Sequence, residues 1–132
     1  GGGSVEAYLA AHLKEWADSF DGREQLAIKQ YAEALESIPL TIAENAGMDP
    51  IDSIIALRTK QNVAKKTIGI NAREGKVGDM YSLDIVEPLV VKEQIIKSAT
   101  ETASMILRID DVIAISGGPS AGGPPPGMPP MG

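Results

Sequence analysis

Cysteine is absent from this 132-residue chain, and histidine occurs once, at His12. No disulfide or thiolate metal site can therefore form, and zinc sites of the usual His or Cys type are excluded. A Ser-His-Asp triad would have to use His12, and no Gly-x-Ser-x-Gly motif accompanies it. Aromatic residues make up only 4 % of the chain against 43 % apolar residues, so the core must be built mainly from Ile, Leu, Val and Ala. Basic residues are outnumbered 12 to 18, for a net charge of -6, and no basic run occurs. Nucleic acid is not expected as a partner, because phosphate binding needs clustered Lys and Arg. No apolar run approaches the roughly 20 residues needed to span a bilayer, so no membrane partner is expected. No secretory signal pattern opens the chain, and the lack of cysteine fits a reducing compartment.

What is present reads as one mainly α domain or a piece of one, long enough to bury roughly two thirds of its unfolded surface. Ser4 predicts a helix over 4–19 with Val5, Leu9, Leu13, Trp16 and Phe20 on its apolar face. A second helix is predicted over 23–38, with Ala27, Tyr31, Ala34, Leu35 and Ile38 as its stripe. Pro39 is expected to start a separate short helix ending at Gly47. Asp49-Pro50-Ile51-Asp52 is a strong helix start: Asp49 can cap, and Pro50 suits the first helical position. Residues 67–71 read as a short strand, with a turn at 74–76 and a return segment through Val77. The longest helix is predicted over 88–107, with Val91, Ile95, Ala99, Thr102 and Ile106 as its buried face, and 110–115 reads as a strand lacking a partner within the chain. Residues 117–132 hold six Gly and six Pro without a charge, and are expected to be a disordered tail.

Two glycine clusters carry the functional signal. Gly69, Gly75 and Gly78 flank Asn71 and Ala72, and Glu87-Pro88 follows at the start of the long helix. The run from Gly69 to Val77 nearly matches a phosphate-binding P-loop. It fails on spacing and on Val77, which stands where Ser or Thr would hold magnesium. Neutral backbone groups beside one acid suit a nucleoside better than a phosphate. Glu87 also has an ordinary role available, as a carboxylate stabilising a helix N-terminus. The Gly1-Gly2-Gly3-Ser4 run fits either a flexible linker or a close approach to the flat face of a base. Asp110-Asp111 would point to opposite faces of a strand, so no metal site is expected there.

Several segments together resemble the group II chaperonins, the archaeal thermosome and its eukaryotic cytosolic relative. They are Gly-Gly-Gly-Ser-Val-Glu at 1–6, Tyr-Ala-Glu-Ala-Leu-Glu at 31–36 and Ala-Glu-Asn-Ala-Gly-Met-Asp-Pro-Ile-Asp at 43–52. Gly-Ile-Asn at 69–71, Val-Glu-Pro at 86–88 and Met-Ile-Leu-Arg-Ile-Asp-Asp-Val-Ile at 105–113 complete the set. The resemblance implies that residues 1–116 are the C-terminal half of an equatorial ATP-binding domain, with 117–132 a Gly/Pro/Met-rich tail. It further implies that Gly2 lies against the nucleotide, that Asn71 and Ala72 contact the adenine, and that Glu87 binds the ribose. ATP is the implied cofactor, with magnesium held through another part of the subunit. The implied setting is cytoplasmic, in a ring of chaperonin subunits that acts on unfolded proteins through an apical domain.

The departures are equally specific. The family's Gly-Asp-Gly-Thr-Thr phosphate loop does not occur, and the catalytic acids and apical domain are missing. No catalytic residue is therefore assigned, and the chain alone is expected to hydrolyse ATP negligibly. The competing expectation is a freestanding helical interaction module without nucleotide binding.

Overall fold

A computed structural model of the chain describes residues 1–63 and 66–116. The expected tail, 117–132, lies outside the described residues. The chain divides into two units, Gly1–Glu87 and Pro88–Gly132. The first contains α1 (Ser4–Ala17), α2 (Gly22–Asn45), α3 (Pro50–Val63), β1 (Ile68–Asn71) and β2 (Lys76–Asp79). The second contains α4 (Leu89–Ser116). Among the described residues, no helix is long and apolar enough to cross a membrane.

The mainly helical architecture with a small hairpin is as the sequence predicts, but the packed faces differ. On α1 the fully buried apolar residues are Ala7, Ala10 and Ala17, while Trp16 is 54 % exposed. Leu9 and Leu13 flank a cluster of Ala10, Ala32 and Leu35. Small side chains let α1 and α2 approach closely, and the larger apolar residues then fall to the flanks. On α2 the buried stripe is Ala32, Leu35, Glu36, Pro39 and Ala43; of the expected Ala27, Tyr31, Ala34, Leu35 and Ile38, only Leu35 is buried. On α3, Leu57 is fully buried whereas Ile51 and Ile55 are exposed.

Pro39 does not break the chain into two helices; it sits inside α2. Proline removes one backbone donor and crowds the preceding turn, an effect worth about 3 kcal/mol in an ordinary helix interior. Here its ring is fully buried. A Cβ on Gly3 would lie only 2.6 Å from the Pro39 Cβ, so the bare glycine backbone packs directly on the ring. This contact offsets part of the lost helical hydrogen bond. α2 ends as expected: the Gly47 N–H donates to Glu44 O and the Met48 N–H to Ala43 O, at 2.9 Å each. These bonds form a Schellman cap.

α3 begins as its sequence predicts. The Asp52 N–H donates to Asp49 Oδ1 at 2.8 Å, satisfying one of the orphan donors of the first turn. Asp49→Ala is expected to lower unfolding free energy by about 1 kcal/mol, read as a shifted urea midpoint with an unchanged slope. A shift indistinguishable from zero would show that the cap contributes nothing.

β1 and β2 pair antiparallel, with Ile70 opposite Val77 and Asn71 opposite Lys76. Ile68, Ile70 and Val77 pack on Ala7, Ala43 and Leu57, so the hairpin is seated on all three helices of its unit. The strand expected at 110–115 is instead the end of α4, which continues to Ser116. A strand leaves its N–H and C=O groups unpaired unless another strand accepts them. The sheet among the described residues has only β1 and β2. A helix satisfies those groups locally, and the β-branched residues cost only tenths of a kcal/mol each, up to ~0.7, in it.

Candidate functional site

The glycine segment 1–3 and the hairpin meet although they are far apart in the chain. The Ile70 N–H donates to Gly2 O at 2.8 Å, so the opening residues are tied to β1 by the backbone. Gly2 has φ +63, and a Cβ there would lie 2.4 Å from Met80 Sδ and 2.7 Å from Ile70 O. Only glycine meets both demands, since it has no side chain and tolerates left-handed backbone. Gly69 faces the same junction: its Cβ would lie 2.9 Å from Gly2 O. The close approach expected of the two glycine clusters is therefore first an approach to each other.

Beside this junction lies a cleft of about 480 Å³ whose lining includes Gly2, Asn71 and Ala72. Asn71 is 3 % exposed, and its Oδ1 accepts the Glu74 N–H at 3.3 Å. That turn holds the amide in place before any ligand arrives. Glu87 is not in this lining. It borders a second cleft, together with Gly1 and Met80, and Ile85 lines both. The Glu87 carboxylate lies 3.9 Å from the Gly1 nitrogen. Three of the four predicted site residues thus share one cleft, and the fourth stands at the adjoining one.

Sequence reasoning missed the apolar walls. Ile42, Leu83 and Ile85 line the first cleft. Ile42 was hidden by the expected break at Pro39, which detached it from α2. Leu83 and Ile85 sit in a loop, where periodicity gives no face; their signal was two large apolar residues between a turn and Glu87-Pro88. Asp84 separates them and holds φ 55, a left-handed conformation that Asp tolerates better than most residues. The Ile85 N–H donates to Met80 O at 2.9 Å, closing the loop back on the hairpin.

The cleft offers bare backbone at Gly2, a fixed amide at Asn71 and aliphatic side chains at Ile42 and Ile85. Arg73, Glu74 and Asp84 also lie on its lining, one basic residue against two acidic ones, which disfavours an anionic group there. Such a slot suits a flat, uncharged heterocycle, with polar groups to fix its orientation. A carboxylate such as Glu87 accepts hydrogen bonds from hydroxyl groups. Among the described residues, no group of three or more His, Asp or Glu converges to hold a metal.

The strongest electrostatic feature lies elsewhere and supports the frame. Glu36 on α2 accepts from Lys14 Nζ of α1 at 2.7 Å and from Arg58 Nε of α3 at 2.9 Å. Its side chain is only 8 % exposed. Burial pushes its pKa up, but the hydrogen bonds and charges of Arg58 and Lys14 outweigh that and hold it below the usual carboxylate value.

Residues 1–116 match the family model for the TCP-1/cpn60 chaperonin family. Thermosome subunit 1 of Haloferax volcanii is 55 % identical over 121 residues, covering 89 % of this chain and 22 % of that protein. Thermosome subunit alpha of Halobacterium salinarum is 58 % identical over 114 residues, covering 86 % of this chain and 20 % of that protein. The chain thus spans about a fifth of the length of these relatives. An open-state monomer of a group II chaperonin from Methanococcoides burtonii matches with a TM-score of 0.78 and 49 % identity, over 82 % of this chain and 27 % of that one. The sequence motifs, the helical fold with its hairpin and these matches converge: the chain belongs to the TCP-1/cpn60 chaperonin family, on its group II, thermosome side.

Proposed function

We propose that this chain is the C-terminal half of an equatorial ATP-binding domain and supplies the adenine and ribose side of an ATP site. The observation that carries the reading is the convergence of Gly2, Asn71 and Ala72 on one cleft. Gly2 presents backbone to the base, Asn71 and Ala72 contact its edge, and Glu87 accepts from the ribose hydroxyls. Gly2 puts no side chain over the cleft, since its Cβ direction faces Met80 and the Ile70 carbonyl, and bare backbone leaves space for a flat base. The phosphates and magnesium would be held by parts of the subunit outside this chain, which has no Gly-Asp-Gly-Thr-Thr run. Bound ATP supplies the free energy with which a ring of such subunits encloses unfolded proteins in the cytoplasm.

The alternative, a helical interaction module, draws on exposed apolar residues such as Leu26, Ile51 and Ile55. Those residues suit the first reading equally well, as surfaces for the remainder of the subunit and for neighbouring subunits. One titration separates the two. Adenosine is expected to bind the 132-residue chain saturably, and both Asn71→Ala and Glu87→Ala should weaken it by roughly tenfold, the equivalent of one lost hydrogen bond to a polar ligand group. Melting curves recorded alongside identify any variant that fails to fold. No adenosine binding, or binding indifferent to both changes, would remove the nucleotide reading.

A further inference from the structure

Met80 is in neither the amide–carboxylate set nor the apolar walls of the first cleft, yet both glycine clusters rest on it. Its side chain is 2 % exposed. Its Sδ lies 2.4 Å from the point a Gly2 Cβ would occupy, and its Cγ lies 2.7 Å from that of Gly69. Its Cε lies 3.9 Å from the corresponding point at Gly78. One thioether therefore fills the space left by three glycines from two distant segments. Its backbone joins the remaining walls. The Met80 N–H donates to Thr67 O and its carbonyl accepts from the Ile85 N–H, at 2.9 Å each.

The consequence is geometric. Gly2 and β1 lie on one side of Met80, and the loop leading to Ile85 and Glu87 hangs from its carbonyl. Gly1 also packs directly on Ile85, where a Cβ would lie 2.7 Å from Ile85 Cγ2, and Met80 lies beneath the next residue, Gly2. We propose that Met80 is a positioning residue: its buried side chain fixes the separation of Gly2 from Ile85 and thereby the fit of the base. The role rests on the nucleoside reading above. Methionine suits the task, because an unbranched, polarisable side chain can fill the irregular gap between glycines. Removing it would leave a void into which Gly2 and Gly69 can settle, and a binding slot tolerates only about 0.5 Å of such movement.

The test titrates adenosine into the 132-residue chain and into Met80→Ala, Met80→Val, Met80→Leu and Leu35→Ala, well below each melting midpoint. Leu35 is a comparably buried core residue, packed with Ala10 and Ala32 away from the cleft. Met80→Ala is expected to weaken adenosine binding by roughly tenfold, and Met80→Leu, close in volume, to restore it within about twofold. Leu35→Ala should lower the melting midpoint while leaving the affinity of the folded chain within about twofold of the parent. That split separates positioning from stability. Should Met80→Ala not fold, Met80→Val carries the same expectation, with a loss of about fivefold. If the folded Ala or Val variant keeps the parent affinity, or Leu35→Ala loses as much, the role is overturned while the nucleoside reading stands. If the parent chain binds no adenosine, the nucleoside reading falls, and this role with it.

Discussion

Gly2→Ala is expected to destabilise the chain by about 3 kcal/mol. Two contributions add. A left-handed backbone costs a residue with a Cβ about 1–2 kcal/mol, and forcing a methyl into occupied space costs about 1–3 kcal/mol. The space is occupied on two sides, by Met80 Sδ and by the Ile70 carbonyl. The sulfur can swing aside, but the carbonyl belongs to a paired strand and cannot. Gly22 provides the control within the same chain. Its φ is +64, nearly that of Gly2, but a Cβ there would meet nothing within 4 Å. Gly22→Ala should therefore show the backbone contribution alone, about 1–2 kcal/mol. Denaturant unfolding of the two variants isolates the packing contribution as their difference. Equal losses would mean that the approach of Gly2 to the hairpin is looser than described.

The second large effect belongs to Glu36. Glu36→Gln is expected to lower unfolding free energy by about 2 kcal/mol at neutral pH, the range for losing charge-assisted hydrogen bonds. The partners moderate the loss, since the Lys14 and Arg58 side chains are 32 % and 40 % exposed and can recover water. The dependence on pH has a definite sign. The folded-state pKa of Glu36 is lowered, so the folded chain binds its proton less readily than the unfolded chain does. The stabilisation is fully present above the unfolded value, about 4.3 for a Glu. It is lost as pH falls through the depressed folded value. The parent and the Gln variant should accordingly differ most at pH 6–7, an interval well above that range, and converge in acid. A gap that stays constant from neutral to strongly acidic solution would show that Glu36 acts through its shape and not its charge.

The parts of the fold legible in the sequence were those written in backbone chemistry. Asp49-Pro50 started α3, Gly47 closed α2, and Asn71 with the following turn made the hairpin, because capping and turn geometry are local demands. Which face each helix buries was not legible. Trp16, Ile51 and Ile55 fall on helical spacing, yet they are exposed, while Ala7, Ala10 and Ala32 form the contact. Periodicity shows that a face seeks cover; it does not show that the same chain provides it. The same reasoning applies to Val91, Ile95 and Ile106 on α4, expected to be buried and found exposed. Pro39 was misread because its penalty is local while its compensation, the ring against Gly3, comes from residues 36 positions away. At the candidate site, Gly2, Asn71 and Ala72 were legible from residue type. Ile85 carried only a faint mark, as one of two large apolar residues between a turn and Glu87-Pro88, and nothing local marked Met80 as a support.

The tie between Gly2 and Ile70 has a kinetic meaning as well. The hairpin needs only a short loop to close, and α1 meets α2 across a brief turn, so both form from neighbours in the chain. The contact that completes the cleft joins two strips of backbone separated by nearly the whole first unit, and closing so long a loop carries the greatest entropic penalty. The recess is therefore expected to close late in folding, and a small molecule captured there would act as a latch on the finished structure.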